Sequence, residues 1–222
     1  MDTELRAEDG HALAAYVAGP RGAARGLVVA QEIFGVNRHM RRVCDDFAAQ
    51  GYAVVCPALF DRTERGVELG YAPEDVARGR ELRGRIDPAL TVLDIRAAAA
   101  ALPPGVKRGI VGYCWGGTIA WWGATRSASF GAAVGYYGGG IAATREEVPN
   151  CPVQLHFGAE DKGIPLPDVD LVRVAQPGVE IHVYPGAGHG FACEDRSSYD
   201  PAATALAEER ALAFLSARLG RG

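Results

Sequence analysis

What this chain lacks narrows it first. None of its five cysteines, Cys44, Cys56, Cys114, Cys151 and Cys193, forms a C-x-x-C pair, and the count is odd. A disulfide framework or a zinc site is therefore not expected, and a reducing cytoplasm is the expected compartment. There is no lysine- or arginine-rich run; the basic residues are scattered arginines and the formal net charge is −4. Nucleic acid and anionic membrane are not expected partners of such a chain. No stretch approaches the roughly 18–20 apolar residues of a membrane span. Met1 to Gly10 is charged, without the apolar core of a signal peptide. Repeats, linkers and low-complexity segments are also missing, so residues 1–222 are read as one domain, expected to be monomeric. With 48% hydrophobic residues over 222 positions, the chain can build a sizeable core.

What is present alternates between two periodicities. Thr3 to Ala7 and His11 to Val17 flank the turn signal Glu8-Asp9-Gly10 and predict a β-hairpin. Gly26 to Gln31 and Tyr52 to Cys56 are buried-strand runs, the second stopped by Pro57. Between them Asn37 is the expected N-cap of a helix from Arg38 to Gln50. Ala58 to Tyr71 is irregular, and Pro73 to Arg85 predicts an arginine-rich helix broken near Gly79 or Gly84. Pro88 to Leu102 is a further helix. Later strands are expected at Arg108–Val111, Gly131–Tyr137, Val153–Gly158 and Glu180–Tyr184. Thr118 to Ala124 and Pro201 to Leu219 read as helices, and Pro167 to Ala175 as helical or irregular. Strands alternating with helices imply an α/β fold with a mainly parallel sheet, its active site beyond the carboxyl ends of the strands.

The stretch Gly112-Tyr113-Cys114-Trp115-Gly116 has the G-x-C-x-G form of a nucleophile elbow, with sulfur in place of the usual oxygen. A strand turning sharply into a helix lifts such a side chain above the sheet. The positive helix end behind it favours a thiolate, and the Trp115 amide becomes a candidate oxyanion donor. Partners follow in the order acid, then histidine. Asp161 lies just past the strand that ends at Gly158, with Glu160 as the rival acid one position earlier. His189 sits in the glycine-rich Pro185–Phe191 loop past the last strand. The other histidines are assigned no chemistry: His11 and His39 read as surface residues, His156 and His182 as packed strand residues. Glu32, after the first apolar strand, should lie beside the elbow. It could take the thiol proton, or it could simply bond loop amides.

Gln31-Glu-Ile-Phe-Gly-Val-Asn37, Gly112-Tyr-Cys-Trp-Gly-Gly117, Gly135-Tyr-Tyr-Gly138 and Gly188-His-Gly-Phe191 together resemble the dienelactone hydrolase (carboxymethylenebutenolidase) family over nearly the whole chain. The resemblance implies a compact α/β-hydrolase fold without a large cap domain, opening the lactone ring of dienelactones to give maleylacetate. It implies no metal and no cofactor. Carried onto this chain, Cys114 is the nucleophile, His189 the base and Asp161 its orienter, with the backbone amides of Ile33 and Trp115 as oxyanion hole. Glu32 holds a resting thiol until substrate binding rearranges it. The implied substrate carries a carboxylate, so cations are expected in the pocket. Arg80 is the first candidate, then Arg78, against the alternative of a solvated arginine face. The family's best-known form has an arginine four residues beyond the histidine; here Cys193 stands there, with Arg196 three further on. Tyr136, Phe34 and Trp115 are candidate pocket walls. Three other readings stay open: a cysteine esterase or thioesterase on another small ester or lactone, a catalytically silent ligand-binding fold, and a thiol redox role for Cys114 with Cys193 as its partner.

Overall fold

Apolar runs punctuated by glycine and proline become the strands of one sheet in the computed structural model, which describes residues 2–220. The hairpin forms as β1 (Asp2–Arg6) and β2 (Ala12–Ala18), followed by β3 (Arg25–Ala30) and β4 (Tyr52–Pro57). β5 (Lys107–Tyr113), β6 (Ala132–Tyr136), β7 (Val153–Gly158) and β8 (Glu180–Tyr184) complete the order β1-β2-β4-β3-β5-β6-β7-β8. Among the strand pairings of the described residues, β1–β2 and β2–β4 are antiparallel. From β4 to β8 every pairing is parallel. β4, β6 and β7 are buried at every residue, as strands covered on both faces must be.

Among the described residues there are six α-helices, and four of them cover the sheet. α1 (Arg38–Ala49) and α6 (Pro201–Leu219) pack on one face; α3 (Pro88–Ala100) and α4 (Trp115–Arg126) lie together on the other. α2 (Pro73–Gly84) precedes α3, and α5 (Leu166–Ala175) connects β7 to β8. Asn37 caps α1 by accepting from the Met40 amide at 3.1 Å. β4 extends one residue further than the proline signal suggests, because Pro57 lies at the strand's end opposite Ala15. No helix among the described residues is long and apolar enough to cross a membrane.

Two helices depart from expectation in ways that shape the site. α4 begins at Trp115 rather than Thr118, immediately after Cys114, so the elbow residue itself is the N-cap. α2 runs unbroken through Gly79. That glycine serves close approach, not a break: a Cβ there would lie 2.0 Å from the Ile33 carbonyl oxygen. The irregular segment after β4 opens with a short 3-10 turn, Leu59–Arg62. Arg62 anchors it through ion pairs of 2.6 Å to Asp9 and to fully buried Asp94. Further along, Leu69 donates to the Phe34 carbonyl at 2.8 Å, which ties the segment to the loop after β3.

Candidate active site

The elbow turns on backbone forced by sterics. Cys114 has φ 56° and ψ −115°, a region side chains rarely adopt. A Cβ on Gly112 would come within 1.8 Å of the Gly116 carbonyl oxygen, and one on Gly116 within 2.1 Å of the Ala30 carbonyl oxygen. Only hydrogen at these positions lets strand and helix close on each other. The Cys114 amide donates to the Tyr136 carbonyl at 3.0 Å, which fixes the turn to the neighbouring strand.

Beyond β7 and β8, two loops are sewn together by Ala159 and Glu160 amides donating to the Tyr184 and Ala187 carbonyls, both at 2.9 Å. This places His189 between a sulfur and a carboxylate. Its Nε2 lies 3.2 Å from Cys114 Sγ, and its Nδ1 lies 2.7 Å from Asp161 Oδ2. The other Asp161 oxygen accepts from the Gly163 amide at 2.8 Å, and the carboxylate is fully buried. Burial acts to lower the affinity of His189 for a proton. The hydrogen bonds to Asp161 and Cys114, with the charge of Asp161 and that of the sulfur once ionised, outweigh it, and the imidazole is pushed up to about 10.

Glu32, in the loop after β3, is wholly buried. Its carboxylate accepts from the Tyr71 hydroxyl at 3.3 Å and pairs with Arg196 at 3.5 Å. Burial pushes this carboxyl up, while the charges of Arg196 and His189 and the Tyr71 bond pull it down. Tyr71 in turn accepts from Asn37 Nδ2 at 3.2 Å, so the helix cap also steadies the carboxylate's partner. Cys114, His189 and Arg196 open into a cavity of about 540 Å³ walled by Ile33, Phe34 and Trp115.

The sequence of this chain matches a model of the dienelactone hydrolase family over residues 13–219. The chain belongs to the dienelactone hydrolase family. The carboxymethylenebutenolidases of Pseudomonas putida and Pseudomonas knackmussii are each 37% identical to it over 96% of this chain and 94% of theirs. A crystal structure from Klebsiella pneumoniae, provisionally named a dienelactone hydrolase, has TM-score 0.83 and 29% identity, covering 97% of this chain and 98% of that one. A dienelactone hydrolase-like promiscuous phosphotriesterase from metagenomic libraries has TM-score 0.76 at 22% identity, covering 99% of each chain, and shares the fold.

For a member of the dienelactone hydrolase family, most of the expected residues converge. Cys114, Asp161, His189, Ile33, Phe34, Trp115, Arg80 and Arg196 all line the cavity, and Glu32 joins them through Arg196. Glu160 lines it too, but is exposed at the rim, and the imidazole meets Asp161 instead. Two expectations fail. Arg78 is turned off the cavity into ion pairs with Glu64 and Glu81. Tyr136, fully buried, stacks on Tyr113 and His156 and lines a separate cleft between α1 and α6. Its neighbour Tyr137, at φ 38°, is the tyrosine that reaches the site, with its ring centroid 5.2 Å from that of His189.

His39 is also not a surface residue: it is 3% exposed, since it sits in the first turn of α1 under the Cys193–Arg196 segment. That segment is held by Asp195 pairing with Arg38 and Arg42. Burial foremost, aided by the Arg42 charge, lowers the His39 imidazole to about 4. His156 is satisfied as a packed strand residue, bonded to Tyr184 at 2.8 Å and Gln154 at 2.9 Å. Among the described residues, one trio could offer a metal ligand atoms within 4.8 Å of one another: Glu32, His39 and Cys193. The Arg196 guanidinium already occupies the carboxylate there, and a second cation beside it would be repelled. Tyr71, Tyr137, Arg83 and Lys162 are site residues that sequence reasoning missed. The spacing of Val76, Arg80 and Arg83 along one helical face could have revealed Arg83; Tyr71, in the irregular segment, carries no such signal.

Proposed function

We propose that this chain hydrolyses a small carboxylate-bearing lactone, dienelactone being the reference substrate, through a thioester on Cys114. The observation that carries the reading is His189 spanning Cys114 Sγ and buried Asp161 at the mouth of a cavity lined by Arg80 and Arg196. A substrate carboxylate drawn to Arg196 competes for the cation that now pairs with Glu32. With that stabilisation gone, the buried Glu32 carboxylate becomes a stronger base and accepts the Cys114 proton.

The thiolate attacks the lactone carbonyl carbon, and the resulting oxyanion takes hydrogen bonds from the Ile33 and Trp115 amides, each worth roughly 3 kcal/mol of barrier. First-turn amides of a helix have no intrahelical partner, so the Trp115 N–H is free for this work. The ring C–O bond then breaks, and the electron pair leaves as an enolate stabilised by conjugation, which takes a proton and becomes the ketone of maleylacetate. Acylation removes the sulfur's charge, one of the influences that raise His189. The imidazolium therefore passes its proton to the enolate, and the neutral imidazole acts as base for water. Water adds to the thioester carbonyl, the C–S bond breaks with Cys114 leaving as a thiolate that takes the proton back from Glu32, and the free carboxylate leaves. The cycle needs Cys114 reduced, which a cytoplasmic setting supplies.

Loss of dienelactone absorbance on adding purified protein tests this. Turnover should be abolished in Cys114→Ala and slowed about 10²-fold in Glu32→Gln, the range for a lost proton-transfer group. Cleavage of p-nitrophenyl or thioester substrates with none of dienelactone would retain the thiol mechanism and remove the assigned lactone.

A further inference from the structure

On the outer side of the cavity, α2 presents Val76, Arg80 and Arg83, positions i, i+4 and i+7 on one helical face. Lys162 lines the cavity beyond Asp161, on the loop after β7. Arg80, Arg83 and Lys162 have no ion-pair partner among the described residues. Their neighbours on the same helix behave differently. Arg78 pairs with Glu64 and Glu81, and Arg85, just past the helix, pairs with Glu81. The arginines that point away from the cavity are neutralised, and those that point into it are left free. This happens on a chain whose net charge is −4, so a general excess of cations does not explain it.

The arrangement is also larger than a single carboxylate needs. Arg196 stands at the inner end of the cavity beside Glu32, while Arg80, Arg83 and Lys162 stand at the rim. Two carboxylates line the same space. Asp161 is held by His189, and Glu160 at the rim is the remaining opposing charge. A cavity of about 540 Å³ lies within the range that accommodates ligands well beyond a six-carbon lactone.

We infer that Arg83 and Lys162, with Arg80, form a second anion subsite, and that the preferred substrate is a lactone or ester carrying two anionic groups: one directed to Arg196 near the scissile carbonyl, one distal at the rim. The inference rests on the cavity being the substrate site of the proposed hydrolase. Exposed cations act here chiefly by local field and by charge-assisted hydrogen bonds, so the effect is on capture of the substrate and is sensitive to salt.

The test compares mono-p-nitrophenyl glutarate, with one free carboxylate, and the terminal mono-p-nitrophenyl ester of propane-1,2,3-tricarboxylate, with two. The wild-type protein should favour the dianion in kcat/KM by about tenfold at low ionic strength, a preference that shrinks as salt shortens the screening length from about 30 Å to about 8 Å. The Arg83→Ala/Lys162→Ala double variant should lose that preference through KM with kcat held. Lys107→Ala, which removes one positive charge at the opposite end of β5, should keep it. No dianion preference in the wild type, or equal losses for both esters in the double variant, would overturn the subsite. Calorimetric binding of propane-1,2,3-tricarboxylate and glutarate to Cys114→Ala reads the subsite without catalysis. Tighter tricarboxylate binding that the double variant abolishes supports it even if every ester proves inert, an outcome that would sink the proposed hydrolysis alone.

Discussion

Two sides of one cavity are built on opposite plans. The corner that holds Cys114, Asp161 and His189 grows from the carboxyl ends of β5, β7 and β8, and backbone hydrogen bonds between adjacent loops fix each position. Its side-chain contacts are short, 2.7 Å to the carboxylate and 3.2 Å to the sulfur. The facing wall is assembled from α2, the segment before it and the Cys193–Arg196 turn. There the contacts to Glu32 stretch to 3.3 and 3.5 Å, and Arg80 and Arg83 stand exposed. Short bonds on rigid strand ends hold reacting groups within the tolerance that chemistry demands. Longer contacts on a helix and a loop can be exchanged for contacts to a ligand. In the proposed mechanism the corner makes and breaks bonds, and the wall decides what enters.

Breaking the corner should have the largest effect. Asp161→Asn keeps the shape but removes the charge that orients His189 and favours its imidazolium. A fall in kcat/KM on the order of 10³ to 10⁴ is expected, as for other triads that lose the carboxylate charge. The same variant should lower the His189 pKa from about 10, read by NMR titration of the ring proton. The sign for stability follows. A histidine raised above its ordinary 6.5 stabilises the fold fully below pH 6.5, and that contribution is lost as pH rises to about 10. Wild-type Tm should therefore decline relative to Asp161→Asn across this window. Parallel Tm profiles would mean that Asp161 does not hold the imidazolium.

The two sides also differ in how far the sequence discloses them. Cys114, Asp161 and His189 each follow an apolar run and sit among glycines or at a strand end, so periodicity alone locates them above the sheet. The wall has no such grammar. α2 carries few apolar residues to fix its phase, so Arg78 and Arg80 look equivalent until the helix is docked, and Gly79 reads as a breaker until Ile33 is seen against it. Tyr136 and Tyr137 show the same limit at a strand's edge. Alternation sends Tyr136 to the α1–α6 side, and only the positive φ of Tyr137 swings the next ring toward His189. His39 was obscured because its cover comes from a loop more than 150 positions later in the chain.

Gly79 joins the two regions, since it lets α2 lie on the Ile33 carbonyl. Gly79→Ala forces a methyl into a contact of 2.0 Å with backbone, which cannot yield as a flexible side chain would. Overpacking of this kind costs about 1–3 kcal/mol. For a chain of this size each kcal/mol corresponds to roughly 2–4 °C in Tm. The displaced Ile33 amide should also lower kcat, while Gly84→Ala, where a Cβ meets nothing within 4 Å, should be neutral or stabilising by up to about 1 kcal/mol. A thermal melt and a rate for each variant separate the outcomes. Equal Tm for the two would show that α2 is not seated on the oxyanion loop.

The smallest change tests whether the wall's long contacts matter at all. Tyr71→Phe removes one hydroxyl that donates to Glu32 at 3.3 Å and accepts from Asn37 at 3.2 Å. A hydrogen bond of this length is worth about 0.5–1.5 kcal/mol, a few-fold in rate. The direction is more informative than the size. The Tyr71 bond pulls the buried Glu32 carboxyl down against its burial, so losing it should raise the affinity of Glu32 for a proton. If Glu32 must be ionised before substrate arrives, the acid limb of the kcat/KM profile moves to higher pH in Tyr71→Phe. Cys193, already pushed up to about 11 by burial and the Glu32 charge, stays a protonated thiol and cannot replace the missing bond with an anion. An acid limb that stays where it was, with kcat/KM lowered equally at every pH, would mean that Tyr71 positions the loop and leaves the proton on Glu32 undisturbed.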